Sequence, residues 1–358
     1  MDLNFHYYVT YTAACQAGFS QEDALVIARA ARYVDECLDV TVQDVKRLLL
    51  ENINDSLTWN FKSLLKVADI WIPFHFLPGN YAAIRGDIDQ TQKDLIYPCT
   101  HLICGPESPL TECLVDAAKS AYTEGQDRTK GLLRIGIAMH TLADTFAHQG
   151  FAGIPHRHIN EVSSVRHFVP NPADIGEETL KKVIYGFFDY SYAPTKNSFG
   201  YLGHGRIGTI ADVPCETLHY RAHWHSCRDP YITRCNPLEF CCAYLQMTQA
   251  MRYILGGAET FQNRLERWTL VDRTGPLWKD VQKIIQVFLC SDTDSRLADV
   301  WRLYVDDALW PERYRPLTED AALEPLFREA SGEQRKLVWD NCAPWRNYAM
   351  ARGGKPPA

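Results

Sequence analysis

Long apolar runs are missing from this chain. No uncharged apolar stretch reaches the roughly 18 residues that a membrane-spanning helix needs, which argues against such a span. The first residues, MDLNFHYYVTYTAACQAGF, carry no basic segment ahead of an apolar one, so no secretory signal is read and a cytoplasmic protein is expected. Positive charge is also short: 37 Lys and Arg against 44 Asp and Glu leave a net charge of -7. That balance gives no overall pull toward nucleic acid or an anionic membrane, and a small molecule is the expected partner rather than a nucleic-acid polymer.

Several motifs are absent as well. The chain has 12 cysteines but no CxxC pair, which argues against a thiolate zinc site. Cys15, Cys37, Cys113 and Cys290 sit among apolar neighbours, where a reduced thiol packs as a small hydrophobe. Without a secretory context no disulfide framework is expected. There is no GxSxG elbow and no Cys in a catalytic signature, so a nucleophilic Ser or Cys mechanism finds no support. GHGRIG at 203–208 does not run into GK[ST] and is not read as a phosphate loop.

Strand-like alternation is nearly absent, and an all-α fold is expected. Residues 20–38, SQEDALVIARAARYVDECL, open with a Ser cap and an acidic first turn. Apolar residues then recur at Ala24, Leu25, Ile27, Ala28, Ala31 and Val34, which predicts a helix. Similar periodicity predicts helices at about 41–51, 60–70, 110–122, 129–150, 176–190, 237–265, 277–290, 293–309 and 331–340. Irregular stretches remain at 71–109, 151–175 and 191–236; their His and aromatic content argues for ordered, functional loops. The expected organisation is a metal-binding helical domain over 1–265, a His-free helical extension over 266–350 packed on it, and a frayed tail at 351–358.

HTLADTFAHQGF, residues 140–151, places His140, Asp144 and His148 four apart inside an otherwise apolar helical run. Such a spacing drifts by only about 40° per step, so the three side chains form one stripe roughly 12 Å long. A carboxylate and two imidazoles on an apolar helix are costly to bury without strong partners, and metal ions supply them. His140 and His148 are too far apart to share one ion, whereas a carboxylate has two oxygens and can bridge two. One helix cannot complete such a site, because zinc takes about four ligands. Further candidates are His6 in NFHYY, Asp35 in ARYVDECL, His75 in WIPFHFLPG, and His204 and Asp212 in YLGHGRIGTIADVP.

In order and type this set resembles the ligands of the zinc-dependent phospholipase C and single-strand-specific nuclease superfamily, an all-α fold with a trinuclear zinc cluster. The stretches FHYYVTY, YVDE, HTLADTFAHQGF and LGHGRIGTIADVP also resemble a family of bacterial and fungal proteins of unknown function, over roughly residues 1–215. The resemblance implies a multi-helix bundle with long ordered loops. It implies that Asp35, His75, His140 and Asp144 hold one ion, that His6 and Asp144 hold a second with Asp144 bridging, and that His148, His204 and Asp212 hold a third. In that superfamily the amino terminus, a Trp exposed by signal cleavage, also ligates metal. This chain begins Met1-Asp2, so a weak, absent or replaced second ion is expected.

The expected activity is water activation by a di- or tri-zinc centre against a phosphoester, ester or amide bond of a small molecule. Asp35 would orient the water or accept its proton. Arg157, His158, Arg221 and His223 are candidates for binding an anionic group of the substrate, since Arg offers a planar fork matched to phosphate or carboxylate. Iron or manganese suits the same donors, and a di-iron or di-manganese oxidative enzyme is the alternative, although the paired Glu-x-x-His motifs of ferritin-like bundles do not occur. A further alternative is a binding protein in which metal only staples the fold; structural zinc sites, however, are closed.

Overall fold

The first long helix starts where its cap predicts: the Ser20 hydroxyl accepts from the Asp23 N–H and opens α2 (Gln21–Tyr33), while Gly18, at φ +112°, closes α1 (Thr10–Ala17) ahead of it. The computed structural model describes residues 1–36, 61–79, 99–168, 202–225, 231–264 and 278–356, apart from positions 155, 308, 309 and 352. The helices expected at about 41–51 and 176–190 lie outside the described residues.

Further along the chain come α3 (Phe61–Phe74), α4 (Pro109–Thr123), α5 (Arg128–Ala147) and α6 (Asn236–Ile254). The C-terminal stretch supplies α7 (Trp278–Leu289), α8 (Asp294–Tyr304), α9 (Leu323–Asn341) and α10 (Ala343–Met350). Asp127 caps α5 by accepting from the Lys130 N–H, and every residue of that helix from Gly131 to Ala147 is buried. A helix apolar on all sides belongs at the centre of the fold. Accordingly α2, α4, α6 and α9 all pack on α5.

The chain is mostly helical but departs from the all-α expectation. β1 (Val162–Phe168), β2 (Thr217–Ala222) and β3 (Tyr231–Cys235) form an antiparallel sheet in that order, inside two stretches read as irregular. Two features hide these strands. A bulge breaks the register of β1 between Ser163 and Arg166, and in β3 the inward positions are Ile232 and a buried Arg234, so polar and apolar residues do not alternate.

Other boundaries moved for local reasons. FHYYVTYT is rich in aromatic and β-branched residues, which are weak helix formers, yet Phe5–Val9 forms a π-helical turn running into α1 because Phe5, Tyr7 and Val9 are buried. α6 stops at Ile254, where Leu255-Gly256-Gly257 follows and Gly256 takes φ +81°. In the C-terminal stretch, Phe288 and Trp301 stack on each other; Phe288 meets Phe5 and Phe240, and the Trp301 indole donates to Thr12 Oγ1 at 2.9 Å. One core thus includes residues from both ends of the chain.

The crossing of α2 and α5 is very tight at Gly136. A Cβ added there would lie 2.3 Å from the Ile27 carbonyl oxygen and 2.6 Å from Ala30 Cβ. Gly136→Ala is therefore expected to force the helices apart and to cost about 1–3 kcal/mol, the usual range for overpacking. Urea unfolding should show a lower midpoint at unchanged slope, and a wild-type midpoint would mean the crossing is slack.

Candidate metal centre

α5 carries the floor of the site. His140 and Asp144 point inward from its last two turns, and His148 is the residue that caps it, with its N–H on the Asp144 carbonyl at 2.8 Å. The direction of each ring is set by a backbone carbonyl, which can only accept. His140 Nδ1 donates to the Ala31 carbonyl on α2 at 2.8 Å, and His148 Nδ1 donates to the His75 carbonyl at 2.6 Å. His204 Nδ1 donates to the Gly208 carbonyl at 2.8 Å. In its neutral form a ring so held turns an Nε2 lone pair toward the centre, the outer-sphere arrangement that orients histidine ligands.

Asp144 is 1% exposed and serves two sides. Its Oδ1 lies 2.6 Å from the Met1 amine and 3.2 Å from His6 Nε2; its Oδ2 lies 3.0 Å from His75 Nδ1 and 3.2 Å from His140 Nε2. Burial alone would raise its pKa, but His148, the Met1 amine, His140 and His6 hold it well below the usual carboxylate range. The same competition acts on the buried Met1 amine: burial lowers its pKa, yet Asp144 and Asp212 raise it to about 11. Burial lowers His6 to about 3, with His140, stacked on it at 3.8 Å, adding to the effect. Neither ring nitrogen of His6 makes a hydrogen bond.

Asp35 and His75 close one side. Asp35 sits in the turn that ends α2, its N–H on the Arg32 carbonyl at 3.2 Å. Its Oδ1 lies 3.9 Å from both His75 Nδ1 and His140 Nε2, and its Oδ2 is buried without a hydrogen bond. His75 follows the last turn of α3, which holds Pro73, and its Nε2 is likewise buried without a partner. On the other side His148 Nε2 lies 3.1 Å from Asp212 Oδ1, and His204 Nε2 lies 3.5 Å from Asp212 Oδ2. Burial lowers His204 to about 4; for Asp212 burial opposes, but His204 and the Met1 amine push its pKa down. Phe76 stacks on the His148 ring at 4.4 Å and fixes its plane.

Three groups are thus close enough to hold an ion: His6, His140 and Asp144; Asp35, His75 and His140; and His148, His204 and Asp212. All eight expected ligands converge. The difference lies in His140, which belongs to two groups although its one inward nitrogen can serve a single ion. GHGRIG has the glycine spacing of a dinucleotide loop, but it leads into the 3-10 turn Gly208–Asp212 rather than a long helix, and it carries His204.

Of the expected anion-binding residues, Arg221 and His223 are exposed. Arg157 and His158 lie in a single helical turn, Arg157–Asn160, and their side chains are outside the described residues. Arg221 is exposed on β2, on the face opposite its buried neighbour Tyr220, which stacks on Phe151 toward the site. His223 is exposed just past the strand, with its N–H on the Glu161 carbonyl at 3.1 Å. Two contributors were missed by sequence reasoning. One is the Met1 amine, which has no side-chain signature. The other is Gln334 of α9, whose amide donates to the Pro73 carbonyl at 3.0 Å and to Thr141 Oγ1 at 2.9 Å, next to His75 and His140.

A mostly helical protein with buried His and Asp groups able to hold metal is the class that fold and site define. A model of a family of unknown function, DUF6765, matches residues 1–343, and the chain belongs to that family. No curated protein and no solved structure matches the chain.

Because Gln334 is fully buried, Gln334→Ala would leave the Pro73 carbonyl without its donor. A loss of about 1–3 kcal/mol in chemical denaturation is expected, the usual cost of an unmet buried acceptor. A stability equal to wild type would show that the α3–α5 junction is held without it.

Proposed function

We propose that this chain is a hydrolase whose His and Asp cluster holds two or three divalent ions, zinc first among them, and that it opens a phosphoester or a related ester or amide bond of a small molecule. The supporting observation is that acceptors face acceptors. With their protons on backbone carbonyls, His140 Nε2 faces Asp144 Oδ2 at 3.2 Å and His148 Nε2 faces Asp212 Oδ1 at 3.1 Å, an arrangement that a cation between them relieves. A ring proton is a poor substitute at His204, which burial keeps neutral down to a pH of about 4.

Imidazole and carboxylate donors suit zinc, and iron or manganese after it. Asp35, His75 and His140 would hold one ion with Asp144, His6 and Asp144 a second, and His148, His204 and Asp212 a third. When bound, such ions acidify a water and offset charge on a phosphoryl group and its leaving oxygen. Three carboxylates cannot neutralise two or three divalent ions, so the centre would keep positive charge, which favours an anionic substrate group such as a phosphoester.

The residues divide the remaining work by exposure. Asp144, at the floor, stays ionised and would offer one oxygen on the His6 side and the other on the His75 and His140 side. Asp35 and Asp212, with side chains 23% and 20% exposed, form the accessible edge. Asp35 is the general base: its Oδ2 has no hydrogen-bond partner to compete for a proton, and it sits on the open side of His75 and His140.

The test is metal content by mass spectrometry on wild type and Asp144→Ala, together with hydrolysis of bis(p-nitrophenyl) phosphate with and without chelator. Two or three ions per chain, loss of two in the variant, and chelator-sensitive hydrolysis are expected. Less than one ion per wild-type chain, with hydrolysis untouched by chelator, would falsify the reading.

A further inference from the structure

Arg234 is a cation in an unusual place. It is 3% exposed, it lies on the inward face of β3, and all its hydrogen bonds go to neutral acceptors. Nη1 donates to the Ala147 carbonyl, Nη2 to the Ala211 carbonyl at 2.5 Å, and Nε to Asn236 Oδ1 at 2.8 Å. Among the described residues no carboxylate pairs with it. Burying a guanidinium without a counter-charge is expensive, so the arrangement calls for a reason beyond filling space.

The two carbonyls it grips give that reason. Ala147 is the last residue of α5 and immediately precedes His148; Ala211 immediately precedes Asp212. A helix C-terminus leaves carbonyls without partners and favours positive charge, so the guanidinium suits the end of α5. Its planar fork spans two acceptors at a fixed separation, which a Lys ammonium, a flexible point donor, does not reproduce. Asn236 extends the grip. Its amide donates to the carbonyls of Ile210 at 3.0 Å, Ala211 at 3.3 Å and Val213 at 2.7 Å, on both sides of Asp212.

We propose that Arg234 is a positioning residue for the ion site formed by His148, His204 and Asp212: its fork, braced by Asn236, spaces the end of α5 from the Gly208–Asp212 turn and so presets His148 Nε2 at 3.1 Å from Asp212 Oδ1. The proposal rests on the metal reading above and concerns only this one of the three groups. Arg234 touches neither ion nor substrate in it. Outer-sphere residues of this kind typically change metal affinity by about 10- to 100-fold when replaced.

The experiment titrates metal-free full-length protein with Zn²⁺ in competition with a chromophoric chelator, for wild type, His204→Ala, Arg234→Lys and Asn236→Ser, with thermal unfolding of each metal-free protein recorded alongside. His204→Ala removes a ligand directly and marks which ion belongs to this site. Arg234→Lys should weaken that same ion by about 10-fold or more and leave the others at wild-type affinity. Asn236→Ser should do the same to a smaller degree, which keeps the proposal testable if Arg234→Lys does not fold. If His204→Ala binds as many ions as wild type, the ligand assignment fails and the positioning proposal falls with it. If His204→Ala loses one ion while Arg234→Lys keeps every affinity, or weakens all ions in parallel with a fall in unfolding temperature, only the positioning role is overturned.

Discussion

A carboxylate buried in the middle of an apolar helix is the constraint around which the site is built. Asp144 has apolar neighbours along α5 and almost no contact with solvent, and an isolated carboxylate there would be far too costly to keep ionised. It stays ionised because three separate segments bring nitrogen to it: the Met1 amine and His6 from the first turn, His75 from the end of α3, and His140 from its own helix. The packing of those segments on α5 and the solvation of Asp144 are therefore one problem. An element that drifted outward would leave a buried acceptor unmet, which gives the protein reason to keep the cluster tight wherever the cation comes from.

The backbone sets the chemistry of the imidazoles. A ring nitrogen is a donor or an acceptor according to what lies on the other side of the ring, and at His140, His148 and His204 that is a carbonyl. Helix packing reaches the site through this link. Gly136 lets α2 come so close to α5 that the Ala31 carbonyl meets His140 Nδ1 one turn further on. A wider crossing would free Nδ1, let the proton move to Nε2, and turn the inward lone pair into a donor aimed at Asp144. The glycine and the ligand thus share one requirement.

The clustered His and Asp residues were legible in the sequence because they are polar where their surroundings are not. His140, Asp144 and His148 interrupt an apolar run, and His6, Asp35 and His75 each sit among bulky apolar neighbours. Most helices were legible for the complementary reason, a clean apolar period with caps such as Ser20 and Asp127. The sheet was not legible. Its strands are short, β1 is bulged, and in β3 the inward place after Ile232 goes to Arg234, whose charge reads as an outward residue. The first helix was masked by β-favouring residues that burial overrides. The sharing of His140 between two groups, and the exposure of Arg221 and His223, depend on three-dimensional packing that no spacing encodes.

Ligands and supports come from different parts of the chain. The candidate ligands lie between Met1 and Asp212, whereas the donors that hold their backbones, Arg234, Asn236 and Gln334, follow in β3, α6 and α9. The same pattern appears in the core, where Trp301 bonds Thr12 of the first helix and Phe288 packs on Phe5, next to His6. A short polar side chain reaches only one hydrogen-bond length, so a support must be packed as closely as a ligand to work at all. The C-terminal stretch, with no histidine of its own, is therefore not an appendage to a finished site. Gln334 of α9 bonds the Pro73 carbonyl and Thr141, and Trp301 of α8 bonds Thr12, so the C-terminal helices pack directly on the segments that carry the cluster.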